Sequence, residues 1–174
     1  MARTSDKSSG HAIVPRMAPN ISIRSAVPTD AVETARVFSA ALRSMAFFPK
    51  LHTDLEDRAF VRRFVESAET WVAINDGCVI GLACIESDWL AHLYVDPVWH
   101  GRGAGTLLLA RVKAERPNGF QLWTFQANSG ARRFYERHSC VAAEFTDGSR
   151  NEEKLPDVRY VWRGDSRAAA HSEK

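Results

Sequence analysis

Residues 93–106 read LYVDPVWHGRGAGT, and no other stretch restricts the fold as much. Leu90, Leu93, Tyr94 and Val95 form an apolar run that Pro97 ends, which predicts a strand. Glycine then occupies every second position: Gly101, Gly103 and Gly105. Leu107, Leu108, Leu109 and Val112 follow as the apolar face of a helix. A strand therefore delivers the chain to a glycine turn that opens a helix. Glycines allow the backbone angles such a turn needs and leave its N–H groups uncovered. The first N–H groups of a helix have no partner within it, and the helix dipole points its positive end at the turn. That combination is a socket for an anion, best suited to a phosphate or pyrophosphate. The spacing narrows the ligand. A dinucleotide fingerprint GxGxxG would need a third glycine where Thr106 or Leu108 stands, and no GxxxxGK followed by Ser or Thr occurs.

The chain has 174 residues, 45% of them hydrophobic, which is enough for a single packed domain. That domain is expected over residues 20–164, with a disordered leader at 1–19 and a flexible tail at 165–174. A formal net charge of +2 gives no bulk electrostatic case for nucleic acid or membrane. Cys78, Cys84 and Cys140 are odd in number and lack metal-site spacing, and no signal peptide is recognisable. A reduced, cytoplasmic protein without a metal is expected, with Cys78 and Cys84 packed as small hydrophobes.

Around the glycine turn the chain reads as alternating elements. Ile21, Ile23 and Val27 mark a first strand; Asp30 with Glu33 resembles a capping pair for a helix whose face is Ala31, Ala35, Phe38, Leu42 and Met45. The aromatic turn 47–52 breaks that helix, and Thr53 with Glu56 caps the next, carried by Phe60, Val61, Phe64 and Val65. Strands follow at Trp71–Ile74, Val79–Glu86 and Trp89–Asp96, the first two joined by Asp76-Gly77, a strong hairpin signal. After the helix from about Gly103 to Glu115, Phe120–Phe125 should run parallel to the strand before that helix, because a helical crossover separates them. Asn128 starts a further helix carrying Phe134 and Tyr135; strands at Val141–Phe145 and Val158–Trp162 flank a polar loop.

Two of these segments, in this order, resemble the GNAT acyl-CoA N-acyltransferases, and so does the upstream hairpin with two helices before it. His100–Gly105 is similar to the family's Arg/Gln-x-x-Gly-x-Gly/Ala turn, with His100 at the first position and glycines at 103 and 105. Asn128-x-x-Ala131-x-x-Phe134-Tyr135-Glu136 looks like the family's N-x-x-A-x-x-F-Y-E/K segment, although Ser139-Cys140 stands where Gly-Phe is frequent. The similarity spans about residues 20–163, and the tail TDGSRNEEKLPDVRY is similar to that of a bacterial subgroup.

The resemblance implies an α/β fold (α+β by some schemes). It would have a mixed, mostly antiparallel twisted sheet of about seven strands and about four helices, splayed between the fourth and fifth strands. It also implies transfer of acetyl from acetyl-CoA to a primary amine of a small molecule or peptide, by direct attack in a ternary complex. Leu93, Tyr94 and Val95 would lie along the pantetheine arm, with a donor near Leu93 polarising the thioester. His100, Gly101, Arg102, Gly103, Ala104, Gly105 and Thr106 would hold the pyrophosphate. Asn128 would reach the pantetheine, and Tyr135 would protonate the departing thiolate. Glu86, Asp88 and His92 are the candidate bases; Phe47, Phe48 and His52 are candidates for the acceptor pocket. The resemblance implies no metal, and a homodimer is common for the fold. An acyl-CoA sensor without catalysis on the same scaffold is the alternative, and an NAD(P)-dependent oxidoreductase is disfavoured by the glycine spacing.

Overall fold

The structure is a computed structural model, and it describes residues 20–164. The expected leader at 1–19 falls outside the described residues, as does the expected tail at 165–174. The elements run β1 (Ser22–Ser25), α1 (Ala31–Ser44), α2 (Asp54–Ser67), β2 (Glu69–Asn75), β3 (Cys78–Glu86), β4 (Trp89–Val95), α3 (Ala104–Glu115), β5 (Phe120–Phe125), α4 (Ser129–Arg137), β6 (Val141–Phe145) and β7 (Asp157–Trp162). The seven strands form one sheet in the order β1-β2-β3-β4-β5-β7-β6, antiparallel except where β4 meets β5. This is the mixed sheet with four helices that the sequence implied.

Local chemistry explains most of the element ends. The Thr53 hydroxyl accepts the Glu56 N–H, and the Glu56 carboxylate accepts the Thr53 N–H at 2.7 Å, a reciprocal cap at the start of α2. Asp76 and Gly77, at φ 48° and 79°, make the two-residue turn between β2 and β3. Asn128 Oδ1 accepts the Ala131 N–H at 3.0 Å and opens α4.

Three local expectations are corrected. Asp30 does not pair with Glu33; its carboxylate turns back, accepting the Val27 N–H at 2.8 Å and binding Arg24 at 2.6 Å. The strong Arg24 partner keeps Asp30 on that side of the turn. Met45 lies beyond the end of α1, outside the helical face it was expected to continue. Cys78 is exposed at the end of the tight turn, whereas Cys84 and Cys140 are buried.

Two cores sandwich the sheet. Ile80, Ala83, Leu108, Leu109, Val112, Leu122 and Tyr160 pack under α3 and α4. Phe38, Val61, Phe64, Val72, Leu82 and Cys84 pack under α1 and α2. In β4, the register with β3 shifts at Ala91, the one extra residue between Leu90 and His92. This bulge sends His92 and Tyr94 towards α1 and α2, and Leu93 and Val95 towards α3. Among the described residues no helix is long and apolar enough to cross a membrane, and no cluster of three or more His, Cys, Asp or Glu side chains is placed to hold a metal.

Candidate active site in the β4–β5 cleft

β4 and β5 share a single bonded register position, Trp89 opposite Gln121, where Gln121 N–H also reaches the Asp88 carbonyl at 2.9 Å. Beyond it the strands part. The Asp96 N–H bonds the Ile80 carbonyl at 2.9 Å, so alternation along that antiparallel ladder turns the backbone groups of Leu93 and Val95 away from β3, into the gap. His100 corroborates this direction: its Nε2 donates to the Val95 carbonyl at 3.0 Å from the open side. The Leu93 N–H and C=O and the Val95 N–H thus remain as an unpaired strand edge within the fold.

The gap opens into a cavity of about 980 Å³. That is the upper end of the size range of small-molecule sites. At one end lies the turn before α3. Gly101 and Gly103 sit at φ 72° and 93°, conformations that a β-carbon would strain, and Gly103 is the N-cap just before α3. Ala104, Gly105 and Thr106 continue the lining on the first turn of α3. Gly105 packs under Phe134, where a β-carbon would stand 3.5 Å from the ring. The Arg102 guanidinium lies 4.9 Å from the centre of the Trp99 ring. Arg102, expected at the pyrophosphate, is absent from the cavity lining; its guanidinium stacks on Trp99 instead.

Tyr135 forms part of the wall. It is only 7% exposed, and burial pushes its phenol well above the ordinary value, with Tyr94 and Cys140 adding to the rise. Among the described residues its hydroxyl has no hydrogen-bond partner. Tyr94 lines the same cavity; burial first, then the nearby Glu153 carboxylate, pushes its phenol up to about 12. Both phenols therefore hold their protons at neutral pH. Asn128 lines the cavity too, with Oδ1 engaged in the α4 cap and Nδ2 at 3.5 Å from the Met45 sulfur.

The three base candidates lie elsewhere. Glu86 and Asp88 flank the β3–β4 turn, outside the cavity lining, and Asp88 accepts the Gln121 side-chain amide at 3.1 Å. His92 is enclosed by Phe38, Phe60, Phe64 and Tyr94, and burial pushes its imidazole down to about 4. The bulge at Ala91 is the physical reason: it turns His92 into the α1–α2 core. Of the acceptor-pocket candidates, Phe47 lines the cavity, while Phe48 and His52 border a separate hollow of about 90 Å³. His52 Nε2 lies 3.3 Å from Glu152.

Several wall residues were not singled out as site candidates from the sequence. Ser44, Met45 and Ala46 come from the end of α1, and Trp123, Thr124 and Phe125 from β5. Because Phe120 and Leu122 fill the α3–α4 core, alternation places Trp123 and Phe125 on the opposite face, and that alternation was the available clue.

Residues 66–138 match the family model described as the acetyltransferase (GNAT) domain. This segment of the chain is similar to the GNAT acetyltransferase domain. The match contains β4, the glycine turn, α3, β5 and α4, so the GNAT region holds most of the cleft. Solved structures agree in fold. YjaB from Escherichia coli superposes with a TM-score of 0.69 at 20% identity, covering 83% of this chain and 99% of that one. A GCN5-related N-acetyltransferase from Rhodopseudomonas palustris gives 0.70 at 23%, covering 84% and 96%. The yncA protein of Salmonella typhimurium, determined with its cofactor acetyl-CoA, gives 0.67 at 17%, covering 84% and 95%. No curated protein matches this chain by sequence. The GNAT fold of the chain is thus established on its topology and on these superpositions.

Proposed function

We propose that this protein transfers an acetyl group from acetyl-CoA to a primary amine of a small molecule or peptide, in a ternary complex without an acyl-enzyme. The observation that carries the reading is the unpaired edge of β4 running into a glycine-lined helix N-terminus, with a protonated Tyr135 in the same wall. The residues fit the coenzyme. The backbone of Leu93 and Val95 offers strand-like partners to an amide-bearing arm. The N–H groups of Gly101–Thr106 and the α3 dipole suit a pyrophosphate. Asn128, at the start of α4 and in the cavity lining, would hold the pantetheine arm. Bound there, acetyl-CoA supplies an activated thioester.

The chain's own groups then have defined tasks. The Leu93 N–H, fixed in the strand, would donate to an oxygen that gains charge, which a preorganised donor does without reorganising. Tyr135 holds its proton until a thiolate departs, and then gives it up. A free thiol has a pKa of about 8.5, so the transfer from a buried phenol is uphill unless it is concerted with C–S cleavage.

The test is thiol release from acetyl-CoA over a panel of amines, with Tyr135→Phe beside the native protein. The variant should bind acetyl-CoA with unchanged affinity and lose about 100-fold in kcat, as loss of a general acid does. Equal turnover would remove Tyr135 from the chemistry. Tight binding of acetyl-CoA without turnover on any amine would favour the sensor.

A further inference from the structure

The far end of the cleft differs from the glycine end. Phe47 packs edge-on against Phe125 at 6.0 Å, and Phe48 against the same ring at 5.6 Å. Trp123 is 41% exposed and lies parallel to Trp89, 9° between planes. Met45, Leu90 and Ala91 complete this end. Among the described residues no aspartate or glutamate lines the cavity; its charged or ionisable members are Arg137, His100, Tyr94 and Tyr135. None of them suits an ammonium ion. Arg137 is cationic. The phenols keep their protons, and His100 sits at the glycine end with its Nε2–H committed to the Val95 carbonyl. The carboxylate nearest in effect is Glu153, which acts on Tyr94 but is not part of the lining.

A strongly basic acceptor meets a problem here. An alkylamine with a pKa near 10.4 is neutral in only about one molecule in 2,500 at pH 7. Its charged form would enter a cavity whose described walls offer no carboxylate to meet it. Aromatic faces attract cations, but this weak interaction does not replace a carboxylate that also removes the proton.

Resting on the acetyltransferase reading above, we propose that the acceptor is a weakly basic aromatic amine. It enters neutral, with its ring against Phe47, Trp123 and Phe125, and needs no side-chain base. The nitrogen lone pair forms the new N–C bond as the C–S bond breaks. The sulfur takes the Tyr135 proton. The attacking nitrogen, acidic once bonded to the acyl carbon, releases its proton to water, and water restores the Tyr135 proton.

The test compares aniline, benzylamine and spermidine by thiol release at saturating acetyl-CoA, from about pH 6 to about pH 9. Aniline and benzylamine share a ring and differ in basicity; spermidine is a flexible polycation. At neutral pH aniline should exceed benzylamine in kcat/KM by at least about tenfold, with a flat pH profile, while benzylamine should rise about tenfold per pH unit. Trp123→Ala should raise KM for aniline about fivefold and leave acetyl-CoA affinity unchanged. Glu153→Gln should leave the aniline profile flat and undiminished.

Faster turnover of benzylamine or spermidine at neutral pH would overturn the proposal. So would loss of aniline turnover in Glu153→Gln, or the absence of aniline turnover in a protein that binds acetyl-CoA. Titration calorimetry with acetyl-CoA separates the two levels. If acetyl-CoA fails to bind, the acetyltransferase reading itself falls; if it binds and a basic amine is preferred, only the acceptor assignment falls.

Discussion

His92 shows how one side chain can carry a cost that depends on pH. Its ring centre lies 4.9 Å from that of Phe64, 5.3 Å from Phe60 and 6.0 Å from Phe38. This setting disfavours the imidazolium, so the native pKa falls to about 4 while the unfolded chain keeps about 6.5. Between those values the unfolded state takes up a proton that the native state refuses. Stability from this residue is therefore complete above about pH 6.5, declines as pH falls towards about 4, and levels off below. Its full span is about 3 kcal/mol. Urea midpoints measured from pH 7.5 to 5 should fall more steeply for the native protein than for His92→Leu, with the slopes differing by up to about 1.4 kcal/mol per pH unit. Parallel curves would assign the acid sensitivity to other groups.

At the scale of elements, α1 is tied to the end of β4 by one side chain. Arg36 reaches Asp96 at 2.5 Å, the Val79 carbonyl at 2.8 Å and Glu33 at 3.0 Å. Asp96 also accepts the Val98 N–H at 3.1 Å, shaping the descent towards the glycine turn. Asp96→Asn keeps that acceptor and removes the ion pair. It should lower unfolding stability by about 1–3 kcal/mol, read as a drop in the denaturation midpoint.

This joint could not be read from the sequence, because 60 positions separate its partners. Signals acting within a few residues were legible: the Thr53–Glu56 cap, the Asp76-Gly77 turn, the strand–glycine–helix unit and the Asn128 cap. Failures arose where a distant group decided the outcome. Arg24 claimed Asp30, the bulge at Ala91 turned His92 inward, and Phe48 and His52 border a different hollow from Phe47. Spacing located the glycine end of the cleft; the aromatic end is assembled from α1, the segment after it and β5, which only the fold brings together.

Across the whole molecule, one bonded rung at Trp89–Gln121 joins a four-stranded block, β1 to β4, to a three-stranded block of β5, β7 and β6. The blocks also share the α3–α4 core, so they hold together without a continuous ladder. Amide hydrogen exchange of the free protein should detect this. The Leu93 and Val95 amides should exchange faster than those of Val72 and Leu82 within the intact ladders, and acetyl-CoA should slow them. Unchanged exchange at these two amides under saturating acetyl-CoA would place the ligand elsewhere.

The open seam also makes recognition and architecture one event. A chain-like ligand lodged there becomes a stitch between two half-fabrics, so its binding free energy enters the cooperativity of the entire sheet. At a hundred times its dissociation constant it would add about 2.7 kcal/mol to the folded state. The melting point of this protein would then follow the cellular supply of that ligand.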